Sequence, residues 1–415
     1  MAYIEVFCLL LFVISIFRLI KRPRIDSNEP PLVPYRYPII GHTYDFLFNT
    51  ENFLKECKEK YGDLFSIYIL GSVKTIAGAD CAPEVFKYDT FDFVTAIDKT
   101  FPMMTIFNHF VGNYSNSYVA QVVHEQIGSK LDIYTSRMQK ELLFGIENII
   151  GDCKEPKAFR NIKKVLTQIV AKPVANILFG EEAAQFKEFM NSITAVSNKS
   201  RWNPLSPYRD IFVQYYKPIV EERIRQRKKN GRPELCKEIY EEQLKIHNES
   251  NGNLSTKDVD KMVKLDSFLK KSVRHSAPIV ELPHTNNGES FKFSSGTTIP
   301  KGREVFVYMK DVHFNPKYYG ETSNDFQPKR HIISLSNSKI INSPIRKVDR
   351  TFIMFGGGKH ACPGRAFAIN EIKICFHKLI LRYNIRTESG KIIPPERVGY
   401  LSLPSNSGLV FENRD

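Results

Sequence analysis

The chain has 415 residues, of which 42% are hydrophobic and 25% are charged. This composition is that of a globular protein, and it excludes the collagen-like, intrinsically disordered and disulfide-scaffold classes. The formal net charge of +14 favours an acidic partner surface, an anionic lipid or a nucleic acid. The seven cysteines are scattered and contain no CxxC pair, so they predict reduced thiols rather than a zinc or redox motif.

The chain opens with an apolar segment. Residues 1–20, MAYIEVFCLLLFVISIFRLI, are apolar except for Glu5 and Arg18, and a basic cluster follows them. Because the positive charge lies after the apolar run, the pattern favours a membrane anchor over the alternative, a cleaved secretory signal. The positive-inside rule then places the rest of the chain in the cytoplasm. Residues 21–42 are basic and rich in proline, which predicts an extended linker that holds a globular body close to the bilayer.

The middle of the chain has helical periodicity. Apolar residues at three- and four-residue spacing predict helices over 51–62, 126–150, 156–180, 182–197 and 205–229. The basic run from Arg223 to Arg232 shares its helical period with glutamates, so we interpret it as a solvated helix face and not as a nucleic-acid site. From 279 to 308, short apolar runs between glycines and prolines predict two or three strands. The predicted fold class is therefore mainly α with a small late β-sheet.

A lone cysteine lies in the most informative segment, TFIMFGGGKHACPGRAFAINEIKICFHKLILRYNI, residues 351–385. A glycine-rich turn precedes Cys362, and apolar residues at helical spacing follow it. Pro363 fits the first position of a helix, where a missing N–H costs no hydrogen bond. Cys362 is thus predicted at a helix N-terminus, where the helix dipole stabilises a metal-binding thiolate. The glycines fit neither a phosphate loop nor a dinucleotide fingerprint, and the remaining alternative is a buried structural cysteine.

The pattern Phe355-x-x-Gly358-x-x-x-Cys362-x-Gly364 resembles the haem-binding signature of the cytochrome P-450 family, and the surrounding residues are most similar to fungal members. The resemblance implies that the cofactor is haem, iron protoporphyrin IX, and that Cys362 is the thiolate ligand of its iron. It implies further that Phe355 and Gly358 shape the cysteine loop and that Gly364 relieves crowding against the porphyrin. His360 matches a position where a basic side chain meets a haem propionate.

Two more segments resemble the family. FQPKR, residues 326–330, implies that Arg330 joins a buried ion-pair network. The family builds that network with a Glu-x-x-Arg pair on a helix, and here Arg274 is present while Lys271 stands at the position of the acid. Residues three apart on a helix face each other, so the two cations are expected to repel unless another acid compensates. His284 matches a position where the family often has a propionate-binding arginine.

One element of the family is not found in the sequence. The family carries a long distal helix with an acid and a threonine, and without that pair no catalytic residue is predicted. Residues 215–231 run directly into 232–248, which resembles the segment that follows the distal helix. A helix that crosses a domain of roughly 30 Å needs about 20 residues, so we predict a deletion near 229–233. The expected architecture is an incomplete cytochrome P-450 fold, a single domain over 43–415.

The resemblance also implies an activity. A family member would be a monooxygenase of the endoplasmic reticulum membrane that inserts one oxygen atom from O2 into a lipophilic small molecule. An NADPH-dependent flavoprotein reductase would supply the electrons, and the basic surface suits an acidic reductase and anionic lipid rather than nucleic acid. The alternatives are a truncated haem-binding remnant, or pseudoenzyme, that cannot activate O2, a peroxide-rearranging haem-thiolate enzyme, and a non-enzymatic membrane module.

Overall fold

The computed structural model describes residues 22–100, 116–179, 234–334, 340–390, 396–399, 401–403 and 408–414. The predicted anchor, the predicted helices over 182–197 and 205–229 and the predicted deletion near 229–233 lie outside the described residues. Among the helices that are described, none is both long enough and apolar enough to cross a membrane.

The first part of the described chain consists of helices around a β-hairpin. Its helices are α1 Thr43–Phe48, α2 Thr50–Tyr61, α3 Ala82–Lys87, α4 Phe93–Thr100, α5 Asn116–Gln126, α6 Leu131–Ile149 and α7 Ile162–Phe179. Its strands are β1 Leu64–Ile69, β2 Ser72–Ala77, β3 Phe91–Asp92 and β4 Lys157–Phe159. The helix predicted over 51–62 is confirmed by α2. The helices predicted over 126–150 and 156–180 begin later, at Leu131 and Ile162, because a 3-10 turn and β4 occupy their first residues.

The second part alternates short strands with helices. Its helices are α8 Glu234–Glu249, α9 Thr256–Asp260, α10 Val263–Ser276, α11 Met309–His313, α12 Pro316–Tyr319 and α13 Arg365–Arg382. Its strands are β5 Glu281–Asn286, β6 Ser290–Lys292, β7 Thr298–Pro300, β8 Glu304–Val307, β9 Ile332–Ser334, β10 Ile340–Asn342, β11 Tyr383–Thr387, β12 Glu396–Val398, β13 Leu401–Leu403 and β14 Leu409–Asn413. Between 279 and 308 the structure has four strands, β5 to β8, where two or three were predicted.

The largest described sheet joins early and late strands in the order β1-β2-β8-β5-β3. β2 and β8 run parallel, with Ile76 opposite Phe306, and the other pairs are antiparallel. Smaller sheets have the orders β11-β14-β4, β6-β7, β9-β10 and β12-β13. The protein is therefore mixed, about half helical with several small sheets, and not mainly helical with one late sheet. Local periodicity could not reveal this, because the pairing of β2 with β8 joins segments that are distant in sequence.

Helix α13 lies in the larger of two buried hydrophobic clusters and contacts α6, α8 and α9. Its apolar residues are buried, as their helical spacing predicts: Ile369, Ile372, Cys375, Phe376, Leu379 and Ile380. Two polar contacts fix the helix in the core. Lys373 forms a buried ion pair with Asp266 of α10 at 2.9 Å, and Nδ1 of His377 bonds Oε1 of Gln243 of α8 at 2.9 Å. These two contacts hold α13, including its first turn, in a fixed position.

Candidate cofactor site at Cys362

Cys362 lies in a closed loop immediately before α13. Its backbone N–H donates to the carbonyl of Phe355 at 2.7 Å, and Phe355 itself is buried. Helix α13 begins at Arg365 with Gly364 as its N-cap, so Pro363 precedes the helix and does not occupy its first position. Residues 363 and 364 form a turn instead, which Arg365 closes by donating from Nη1 to the Cys362 carbonyl at 2.8 Å. The sulfur therefore lies beside the N-terminus of a helix that begins two residues later than the proline position implied.

Two glycines give the loop its shape. Gly356 and Gly358 have positive φ angles, +77° and +50°, which side chains other than glycine rarely adopt. A Cβ on Gly358 would lie 2.5 Å from the carbonyl oxygen of Phe86, and one on Gly356 would lie 2.6 Å from that of His360. Gly364 differs, because a Cβ there would meet no heavy atom within 4 Å. The protein itself thus gives no steric reason for glycine at 364, and the space beside it is open.

The Cys362 thiol is half-buried and free, and two opposing effects act on it. Burial raises the pKa of Cys362, while the backbone N–H groups of Gly364 and Arg365 and the charge of Arg365 act to lower that pKa. Burial is the larger effect, so the side chain is a neutral thiol at neutral pH. The N–H groups are nevertheless oriented to stabilise a thiolate once a metal cation compensates for its burial.

His284 and His360, which come from distant parts of the sequence, lie side by side with ring centroids 5.1 Å apart. Burial lowers the pKa of His284 to about 4, so its ring is neutral. Nδ1 of His284 is 2.8 Å from the carbonyl oxygen of Leu282. Its Nε2 is buried and has no hydrogen-bond partner among the residues that the structure describes. Phe86 and Phe93 flank this ring and exclude water from it.

Arg274 is fully buried at the end of α10, and carbonyl oxygens take the place of a carboxylate partner. Its guanidinium donates to the carbonyl oxygens of His313 and Ser323, the latter at 2.7 Å. It also stacks on the rings of Tyr319, at 4.2 Å, and Phe314, at 4.9 Å. Burial lowers the pKa of Arg274 to about 10. Carbonyl dipoles and aromatic faces therefore stabilise this cation where the family is expected to use an acid.

Positive charge is concentrated around this arginine, as the sequence predicts. Lys271 is fully buried one turn earlier on α10. Arg330 donates to the carbonyl oxygen of Tyr319 at 2.9 Å, and the ring of the same tyrosine lies under Arg274. Burial lowers the pKa of the neighbouring His331 to about 3, and four cations lower it further: Lys270, Arg274, Lys271 and Arg330. Sequence reasoning missed Lys270 and Tyr319, which carry no local motif.

The other described parts of the chain offer no competing centre. Within the described ranges, no three His, Cys, Asp or Glu side chains lie together as a metal site. A cavity of about 180 Å³ lies between α6, α9, α10 and α13, but Cys362 is not among its lining residues. This volume is below the roughly 300 Å³ at which ligand pockets begin. The loop before α13 is therefore the strongest candidate for a functional site.

Part of the chain is similar to proteins of a known family. Residues 231–410 match the cytochrome P-450 family. The chain is 34% identical over 158 residues to cytochrome P-450 monooxygenase 71 of Postia placenta. The aligned region covers 38% of this chain and 31% of that protein. It is 32% identical over 179 residues to cytochrome P-450 monooxygenase CYP2 of Pyricularia oryzae, covering 43% and 39%. It is 30% identical over 169 residues to the fumitremorgin C monooxygenase of Aspergillus fumigatus, covering 40% and 33%.

The matched region holds every candidate residue described above, from Lys270 to Gly364. It spans about a third of the length of the curated relatives that it matches. Residues 231–410 are thus similar to the cytochrome P-450 family, and the relatives that this chain resembles there are fungal monooxygenases.

Proposed function

We propose that this chain binds haem through Cys362 and is a haem-thiolate monooxygenase-type protein that inserts one oxygen atom from O2 into a lipophilic substrate. The observation that carries the proposal is the location of the Cys362 sulfur at the N-terminus of α13, beside the N–H groups of Gly364 and Arg365. The match of residues 231–410 to the cytochrome P-450 family supports the same cofactor and the same reaction class.

The residues present fit the cofactor. Cys362 would hold the iron, and the open space beside Gly364 is what close approach of a flat ring requires. His284 offers a buried nitrogen without a partner, and His360 lies next to it, so the two would hold the propionate groups. With a thiolate ligand, haem supplies the chemistry of O–O bond cleavage. The buried Phe355 would keep water from the sulfur, and the fixed N–H groups would temper its negative charge.

His284 has a definite proton requirement in this proposal. Because a carbonyl only accepts hydrogen bonds, Nδ1 carries the proton that points at Leu282, and Nε2 of the neutral ring is a lone pair. A carboxylate also only accepts. Binding of a propionate would therefore require a proton on Nε2, and the negative charge would raise the pKa of His284 from about 4.

The remaining features follow from the same proposal. Residues 1–20 would anchor the protein in the endoplasmic reticulum membrane, 21–42 would link the anchor to the body, and 43–415 would form one haem-thiolate domain with a deletion near 229–233. A flavoprotein reductase would donate the electrons, and the net charge of +14 suits its acidic surface. The substrate would be a lipophilic small molecule.

One observation favours a second candidate function. The family match begins at residue 231, beside the predicted deletion. A haem-binding remnant that cannot activate O2, or an enzyme that rearranges peroxides, would need no distal acid and threonine.

Spectroscopy of the purified full chain tests the proposal. The reduced, CO-treated protein should show the red-shifted Soret band of thiolate-ligated haem. Cys362→His is the matched control, since it keeps a metal ligand and should move the band to the imidazole-ligated position. If the unmodified chain binds no haem, the proposal fails. If haem binds, NADPH consumption with a reductase identifies the monooxygenase, peroxide turnover alone identifies the rearranging enzyme, and neither activity identifies the remnant.

A further inference from the structure

We propose that Ser343 is a phosphorylation site for a proline-directed protein kinase and that buried cations of α10 bind the phosphate. The inference goes beyond the proposed function, because it concerns a covalent modification of the chain. Ser343 begins the sequence SPIRK, residues 343–347, in which proline follows the serine and basic residues stand three and four positions after it. Cyclin-dependent kinases select this pattern of a serine, a proline and a following basic charge.

The hydroxyl of Ser343 contacts a buried lysine of α10. Lys270 is 2% exposed, and its Nζ donates to Oγ of Ser343 at 3.0 Å and to the carbonyl oxygen of Ser343 at 3.3 Å. Nζ also lies 4.7 Å from the centre of the Phe352 ring. All three partners are neutral, and no carboxylate of the described residues forms an ion pair with Lys270. The charge of this lysine is therefore buried without an anion.

Further positive charge lies around Ser343. The N–H of Ser343 donates to the carbonyl oxygen of His331 at 3.1 Å, and the four cations named above act on that histidine. Nε2 of His331 is buried and has no hydrogen-bond partner among the residues that the structure describes. Two carboxylates act on Lys270, those of Asp349 and Asp266, and the second already belongs to the ion pair with α13. The region is thus short of negative charge.

Phosphorylation would supply the missing anion. Oγ of Ser343 attacks the γ-phosphorus of magnesium-bound ATP, its proton passes to the catalytic base of the kinase, and the bond from the γ-phosphorus to the β–γ bridging oxygen breaks to release ADP. The product carries a charge of about −1.5 to −2 at neutral pH and strong acceptor oxygens. Since Lys270 already donates to Oγ, the phosphate forms next to a cation that binds it.

Ser343 is half-buried, so a kinase reaches it only when its segment opens locally. Lys347 is exposed, and it closes a turn by donating its N–H to the carbonyl of Pro344 at 2.9 Å. Ile345 is fully buried and must leave the core during opening. Pro344 and Arg346 line the cavity of about 180 Å³ described above, so the segment is loosely packed on one side. We therefore expect slow phosphorylation of the folded chain.

The same segment supports the turn at Cys362. The N–H of Ile345 donates to Oδ2 of Asp266 at 2.9 Å. The carbonyl oxygen of Arg346 accepts from Nε of Arg365 at 3.2 Å, and Arg365 holds the Cys362 carbonyl. A phosphate that binds α10 would also fix these contacts, so we expect it to slow the loss of haem. This effect rests on the haem binding proposed above, whereas the phosphorylation itself does not.

Phosphorylation in vitro followed by peptide mapping tests the inference on the full chain. The test protein carries Ser206→Ala, because SPYR, residues 206–209, has the same pattern and lies outside the described residues. It is incubated with a purified cyclin-dependent kinase and magnesium ATP. We expect phosphate on Ser343 and a Tm at least about 2 °C higher than that of the unphosphorylated protein. Ser343→Ala in the same background is the control, and kinase treatment should leave its Tm unchanged.

A further variant identifies the cation that binds the phosphate. Lys270→Met keeps the apolar stem of the side chain but removes its charge, so phosphorylation should raise the Tm of this variant by less than half as much. Lys140→Met, the same substitution at an exposed position of α6, should keep the full rise. Phosphorus NMR gives the same information without a variant. The second pKa of the phosphate should lie about one pH unit below that in a peptide of residues 340–350, because nearby cations favour the dianion.

Two results would overturn the inference. If the peptide of residues 340–350 is phosphorylated and the folded chain is not, the segment does not open. If the phosphorylated chain has an unchanged or lower Tm and a phosphate pKa equal to that of the peptide, the cations of α10 do not bind the phosphate. The CO spectrum of the same samples is independent, because absence of haem with the Tm rise retained would reject the proposed enzyme and leave the phosphorylation site standing.

Discussion

At the residue scale, one ring nitrogen of His284 bears directly on the proposed cofactor site. Its Nε2 is buried between Phe86 and Phe93 and has no hydrogen-bond partner in the described ranges. A buried polar atom left in this way costs roughly 1–3 kcal/mol, so the fold alone does not favour it. The sequence pointed to His284 and His360 by position, but it could not show that their rings would touch, because the two side chains come from separate elements.

We predict that His284→Phe accelerates haem loss without destabilising the fold. The phenyl ring suits the apolar surroundings, but it cannot donate to a propionate, so haem transfer to apomyoglobin should become at least about tenfold faster, the equivalent of roughly 1.4 kcal/mol. Thr285→Val is the control, since its buried Oγ1 also has no hydrogen-bond partner in the described residues and lies at the next position of β5. Equal rates in the two variants would count against a propionate contact at His284.

At the scale of elements, helix α10 buries two positive charges close to each other. Lys271 and Arg274 are buried one turn apart, and Arg330 lies close enough to lower the pKa of Arg274 further. The sequence predicts that Lys271 and Arg274 lie close together, and both side chains are buried on α10. The sequence could not indicate how the charge of Arg274 is stabilised. The carbonyl oxygens of His313 and Ser323 become available to this side chain only when residues 309–324 fold against the helix.

Replacing Lys271 by glutamate should therefore stabilise the protein. Lys271→Glu introduces an acid three residues from Arg274 and should raise the free energy of unfolding by about 1–3 kcal/mol, measured by urea denaturation. Lys271→Met removes the charge without adding an ion pair and is the matched comparison. A glutamate variant less stable than the methionine variant would contradict an acid-accepting site.

Prediction from sequence succeeded for elements with strong local signals and failed where partners are distant. The apolar spacing of α13 and the turn-punctuated strands β6, β7 and β8 were predicted. The start of α13 was placed two residues early, because Pro363 suits a turn as well as a first helical position. The five-stranded sheet was not predicted, since β1 and β2 gain their place in it only through pairing with β8.

At the scale of the whole molecule, buried ionisable groups make the stability of the fold depend on pH, some at acidic and one at alkaline pH. Burial lowers the pKa of His284 to about 4 and those of His313 and His377 to about 3. These imidazoles are neutral in the folded state and protonate below about pH 6.5 when unfolded, so their contribution is complete above pH 6.5 and is lost as the pH falls towards 3–4. Glu371 acts in the opposite direction, because burial raises its pKa to about 8.

We predict that Glu371→Gln removes the alkaline loss of stability. The folded state keeps Glu371 protonated, so its contribution is complete below about pH 4.5 and is lost as the pH rises towards 8. At pH 7 the glutamine variant should be more stable by roughly 3 kcal/mol, with little difference near pH 4.5, as measured by urea denaturation at both pH values. Equal gains at the two pH values would mean that charge is not the cause.

The sheet β11-β14-β4 affects the order in which the chain can fold. Strand β4 pairs only with β14 in the described sheet, and the backbone of Cys153 exchanges hydrogen bonds with Asn413. During synthesis, residues 153–159 must wait for about 250 further residues before their partners leave the ribosome. Until then the edge of β4 and the thiol of Cys153 stay accessible to chaperones or to aggregation. We therefore expect the region around α6 and α7 to reach its native protection from hydrogen exchange only after the last strand is complete.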